Sequence, residues 1–127
     1  MGVKLEMFNN EPGVPFAAGE RIFREGDAAE SMFVVLEGDV DISIKGEYIE
    51  TLGPGEPFGE MALVDHSARI ATAVAKTPVK LAVIGEKRFL FLVEQTPYFS
   101  LQVMRVMSDR LRRMNELRVG NAAAAAD

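Results

Sequence analysis

The segment FGEMALVDHSARIAT, Phe58 to Thr72, governs the reading of the whole chain. Gly59 opens a short run, Glu60-Met61-Ala62-Leu63, fit for one or two helical turns. Glu60 stands at the start of that run and Arg69 follows nine residues later. A helix N-terminus presents unpaired N–H groups and the positive end of its dipole, which suits a phosphate. An arginine adds a planar set of donors for the same oxygens. A carboxylate so close would repel a phosphate, so Glu60 must face another group, and a ribose-like hydroxyl pair is its natural partner. These residues point to a sugar phosphate of limited charge.

On either side of this segment the chain is built from short alternating runs. Val14–Gly19 reads as a strand end and turn, and Arg21–Glu25 as a short strand closed by Glu25-Gly26-Asp27. Met32–Leu36 is a compact apolar run, expected to be a central strand. Val40, Ile42 and Ile44 alternate with Asp41, Ser43 and Lys45, the pattern of a half-exposed strand. Lys45-Gly46-Glu47 marks a hairpin into a strand over Tyr48–Leu52, which Gly53-Pro54-Gly55 ends. Downstream, Ile70–Ala75 reads as a strand, and Val79, Leu81 and Val83 alternate again. Such strands and turns predict an antiparallel sandwich or barrel, a solution that hides sheet edges.

The periodicity changes at Gly85. Phe89, Leu90, Leu92 and Val93 predict a helix over Glu86–Gln95. Thr96 and Pro97 open a longer one, expected to run to Val119 and to stop at Gly120. Ser100, Met104, Met107, Leu111 and Met114 form a heptad-like stripe along it. Leu5, Met7 and Phe8 suggest a short helix or a loose arm at the start. Residues 1–119 are read as a single domain and 120–127 as a flexible Ala-rich tail.

The 127 residues suffice for one domain with a core, and 48% hydrophobic with 26% charged is an ordinary balance. The absence of cysteine excludes disulfides and thiolate chemistry. One histidine, His66, disfavours a histidine-built zinc site within one chain. No apolar run is long enough for a membrane span, and the N-terminus lacks a signal pattern, so a cytoplasmic location is expected. The net charge of −5 does not favour nucleic acid.

The segment resembles the phosphate-binding cassette of cyclic-nucleotide-binding domains, FGE-x-AL-x(4–5)-RxA[ST], matching it at Phe58, Gly59, Glu60, Ala62, Leu63, Arg69, Ala71 and Thr72. A second likeness lies in GERIFREGDAAESMFVVLEGDVDI, Gly19 to Ile42. That family includes sensor domains of catabolite-activator-type regulators, of cAMP-dependent kinase regulatory subunits and of cyclic-nucleotide-gated channels. The resemblance, over roughly residues 12–115, implies a mainly β fold: an antiparallel jelly-roll β-barrel with short helices and a longer C-terminal helix.

It also implies roles for single residues. Arg69 would pair with the exocyclic phosphate oxygens, and Glu60 would accept from the ribose 2′-hydroxyl. Gly59 would let its backbone approach the sugar, and the N–H groups of Ala62 and Met61 would point at the phosphate. Each has a plainer reading beside it: a surface cation, a helix-start acid, a turn glycine. Ile70 departs from family members with Thr or Ser after the arginine. It has no donor or acceptor, which disfavours cGMP and leaves cAMP as the expected ligand. Thr72 lies near the purine edge or is a simple strand residue, and the second reading is preferred. His66 reads as a loop residue.

No Ser–His–acid or Cys–His arrangement is present, and the clustered histidines of cupin-type metal enzymes are missing, so neither catalysis nor a cofactor is expected. The C-terminal helix reads as a lid, as a homodimer interface, as contact to an effector protein, or as a core helix. The chain ends where the family's DNA-binding regulators continue, so direct nucleic-acid binding is not expected, and without the membrane spans of the channel-type members neither is membrane binding. Two functions remain open: a cyclic-nucleotide sensor, and a structural or interaction module that has kept the barrel without the ligand.

Overall fold

The computed structural model describes residues 2, 3, 5–8 and 10–126, with side chains described as far as residue 116. Among the described residues, eight strands form two four-stranded antiparallel sheets. One sheet has the order β1 (Val14–Phe16), β8 (Val79–Gly85), β3 (Ser31–Glu37), β6 (Pro57–Phe58). The other has the order β2 (Arg21–Phe23), β7 (Thr72–Ala75), β4 (Val40–Ile44), β5 (Glu47–Leu52). The expected jelly roll is thus a flattened barrel, two hydrogen-bonded ladders face to face rather than one continuous ring.

Strand alternation decides what lies where. Phe33 and Val35 of β3 and Val79 and Leu81 of β8 point between the sheets, where they meet Val40, Ile42, Leu52, Phe58, Ala73 and Ala75. Met32 and Val34 of β3 and Ala82 and Ile84 of β8 point the other way, into a second core. There they meet Val3 and Phe8 from the N-terminal segment and Phe99 and Val103 from the C-terminal helix. The first sheet is therefore covered on both faces. This accounts for the unbroken apolar run of β3, which alternation alone would not produce. Arg88 ties the N-terminal segment down by pairing with Glu11 and donating to the carbonyl of Val83 at 3.0 Å.

Helix α1 is one short turn, Met61–Val64, α2 spans Glu86–Gln95, and α3 spans Tyr98–Ala126. Two expectations are corrected here. The strand expected from Ile70 begins at Thr72, because Arg69 is held by the β2–β3 turn and Ile70 and Ala71 only bend into the ladder. The helix expected to stop at Gly120 runs on to Ala126. One glycine costs a helix about 1 kcal/mol, and the alanines after it are the strongest helix formers. The side chains of residues 120–127, read from the sequence as a flexible Ala-rich tail, lie outside those described.

The stripe read along α3 is not its buried face. Phe99, Gln102, Val103 and Val106 are buried, while Met104 and Leu111 are 54% and 62% exposed. The sheet selects the face, and the stripe lies beside it. Among the described residues, no helix is long and apolar enough to cross a membrane.

Candidate functional site

At one end of the barrel β6 leads into Gly59, α1 and the loop to β7, and these enclose a cavity of about 110 Å³. Phe58, Gly59, Glu60, Met61, Ala62, Arg69, Ile70 and Ala71, all read as site residues, line it. Leu63 and Thr72 do not. Leu63 packs against the second core. The Thr72 hydroxyl accepts the N–H of Glu25 at 3.1 Å, which agrees with its reading as a strand residue.

Arg69 is placed by three sets of contacts. Its backbone N–H donates to Asp27 O at 2.9 Å, and its carbonyl accepts from Gly26 N–H at 2.8 Å. The Gly26-Asp27 turn of the upstream motif thus fixes where Arg69 stands. Its Nη1 donates to Gly59 O at 3.0 Å and its Nη2 to Ser31 O at 2.7 Å. Its guanidinium carbon lies 4.2 Å from the centroid of the Phe23 ring. Burial pushes its pKa below the usual arginine value, against the opposing fields of Asp27 and Glu60. Arginine stays charged at neutral pH even so. Its contacts are carbonyls and a ring, so its charge is not cancelled by a carboxylate in contact.

Gly59 has φ +74°, and a Cβ there would fall 2.6 Å from Arg69 Nη1. Its glycine identity follows from the left-handed backbone and from the approach of the guanidinium. The N–H groups of Glu60 and Met61 make no backbone hydrogen bond among the described residues, as expected of a first turn. The Ala62 N–H turns to Gly59 O at 3.3 Å, a long contact.

Glu60 is 9% exposed and makes no side-chain cap to α1. Both its oxygens lie 3.4 Å from Nη1 of Arg110, on α3. Arg110 Nε lies 3.3 Å from Glu50 Oε2 without a well-formed hydrogen bond, and Nη2 donates to Pro57 O. Arg113 joins the group through Glu50 Oε1 at 3.0 Å. Together with Met114, which also lines the cavity, these contacts seat α3 over the mouth. The remaining wall is apolar and includes Ile42, Ile44, Ile49 and Leu52. Among the described residues, the arrangement offers one cation without a carboxylate in contact for an anion and one carboxylate for a hydroxyl. An apolar wall remains for a flat ring.

Sequence reading missed Arg110, Glu50 and Phe23 as site residues. Glu50 had a signal: it pairs across the ladder with inward-facing Ile42 and stands two residues before buried Leu52, so its phase is inward. For Arg110 no local signal exists, since its partners Glu60, Pro57 and Glu50 are 50, 53 and 60 positions away.

Comparison with known proteins agrees with this fold. A CRP-like cAMP-activated global transcriptional regulator of Mycobacterium tuberculosis (strain CDC 1551 / Oshkosh) is 27% identical over 107 residues, 80% of this chain and 48% of that protein. The catabolite activator protein of Thermus thermophilus superposes with a TM-score of 0.73 at 29% identity, covering 87% of this chain and 54% of that one. The present chain thus spans about half the length of both. PKAR CBD2 with Sp-2Cl-cAMPS bound superposes with a TM-score of 0.71 at 27% identity, covering 83% of this chain and 70% of that one. The pattern of the cyclic nucleotide-binding domain matches residues 14–96, well over half of the chain, and the chain belongs to that family.

Proposed function

We propose that this domain is a cytoplasmic cAMP sensor rather than an enzyme. The phosphate sits against Arg69 and the free N–H groups of Glu60 and Met61, and the ribose 2′-hydroxyl donates to Glu60. The observation that carries this reading is the seating of Arg69: a half-buried guanidinium facing a cavity with, among the described residues, only neutral groups in contact. In a partly desolvated site, charged hydrogen bonds to a phosphate are strong. Glu60 can serve ribose and Arg110 together, because an ionised carboxylate has about four acceptor positions.

The preference for cAMP over cGMP rests on Ile70, which lies beside Arg69 in the cavity wall and offers guanine no hydrogen-bond partner. The relatives named as cAMP-activated or bound to a cAMP analogue support the same ligand class. Calorimetric titration with cAMP and with cGMP tests the proposal. Saturable binding with cAMP tighter is expected. Absence of binding by either nucleotide would leave the alternative of an interaction module.

The output element is α3. It touches the cavity through Arg110 and Met114 and leaves Met104 and Leu111 exposed for a second copy or an effector. A ligand that favours one position of α3 by its contacts thereby changes what that stripe meets. Oligomeric state and amide exchange over residues 97–119, with and without cAMP, should both respond. A strict monomer with unchanged protection would remove α3 from the account.

A further inference from the structure

We propose that Phe23 is a positioning residue for anion binding: its ring is the floor on which the Arg69 guanidinium rests. This deepens the cAMP reading above and rests on it. Phe23 lies at the end of β2, in a different sheet from Phe33 and Phe58. The rings of Phe33 and Phe58, directly opposite each other in the ladder, stack with centroids 5.2 Å apart. Phe23 closes the group from the other sheet, with its centroid 5.9 Å from each. Core packing alone would be served by this cluster. Phe23 does more, because it also lines the cavity and carries the guanidinium 4.2 Å above its centroid, against 5.4 Å for Phe33.

The chemistry explains why a ring suits this place. An arginine aimed at a ligand phosphate needs to be held without losing its charge or its donors. A carboxylate would hold it and cancel the charge. The face of an aromatic ring attracts the cation through its quadrupole and occupies none of the in-plane N–H groups. Two of the five N–H donors go to Gly59 O and Ser31 O, which fix the plane of the group. The Nε–H and one hydrogen on each Nη are left for an anion in that plane. Replacing the ring by an aliphatic side chain keeps an apolar floor but removes the attraction.

The test compares Phe23→Leu with Phe23→Tyr, by two readouts. The first is the Arg69 Nε–H resonance of the ligand-free protein. A guanidinium seated on a ring gives a slowly exchanging Nε–H shifted upfield. We expect it in the wild type and in Phe23→Tyr, and its loss in Phe23→Leu. The second is cAMP affinity, expected to fall about threefold to thirtyfold in Phe23→Leu and to be restored in Phe23→Tyr. If Phe23→Leu fails to fold, Phe23→Met carries the same comparison. A leucine variant with wild-type affinity and an unmoved resonance overturns the proposal, as does a tyrosine variant as weak as the leucine one. A wild-type protein that binds no cAMP overturns the binding reading instead, and the Nε–H resonance then decides the seating alone.

Discussion

Arg69 and Arg110 line the same cavity and are held in opposite ways. Arg69 rests on carbonyls and an aromatic ring. Arg110 lies between two carboxylates, Glu50 and Glu60, with its side chain 13% exposed. Both guanidiniums are charged, but only the first brings that charge uncancelled to the cavity. The second is matched by acids and acts as a clasp between α3 and the barrel. The lesson is that counting cations around a pocket does not locate the anion site. Their partners must be counted as well.

The largest expected effect attacks the first arginine. Arg69→Ala should weaken cAMP binding by roughly 2–5 kcal/mol, the cost of leaving a buried phosphate without its charged partner. The loss should appear in titration with little change in α3 protection.

The next attacks the second arginine. Arg110→Ala leaves Glu50 and Glu60 facing each other beside the cavity, with Arg113 as the remaining cation for Glu50. Breaking a buried pair costs more than never having made it, so a stability loss of about 2–3 kcal/mol is expected, the group being not fully buried. Denaturant unfolding measures it, and amide exchange should quicken along residues 106–116.

A smaller effect is expected at Gly59, against which the Arg69 guanidinium packs. Gly59→Ala places a Cβ in a left-handed backbone and 2.6 Å from Arg69 Nη1. The backbone alone should cost about 1–2 kcal/mol of stability. The displaced guanidinium should weaken cAMP binding as well, so one substitution should show in both unfolding and titration.

The smallest concerns the base. Ile70 is 59% exposed, so a hydroxyl placed there competes with water. Ile70→Thr should raise cGMP affinity relative to cAMP by less than about 1 kcal/mol. Competition binding resolves that difference.

What the sequence made legible follows the same division. Apart from β6, the strands, α2 and the Gly59, Glu60, Arg69 set could be read locally, because period-2 alternation, turn glycines and a short cassette are local signals. Arg69 stands ten residues from Gly59, and one loop brings them together. The clasp was hidden because Arg110 meets partners some fifty positions away through the packing of α3 on the barrel. Heptad spacing along α3 was visible, but the spacing does not say which face meets a sheet. Met104 and Leu111 turned outward because Phe99 and Val103 fit the second core and Val106 is buried as well. Phe23 was read as an ordinary strand residue, since nothing in a phenylalanine's neighbours along the chain announces a cation above its ring.

The most direct test of the central claim is a parallel cAMP titration of the wild type, Arg69→Ala and Arg110→Ala at neutral pH. If Arg69 alone presents its charge to the ligand, Arg69→Ala should weaken binding at least about thirtyfold, and Arg110→Ala less than about tenfold. Equal losses in the two variants, or an Arg69→Ala protein that binds as the wild type does, would contradict it.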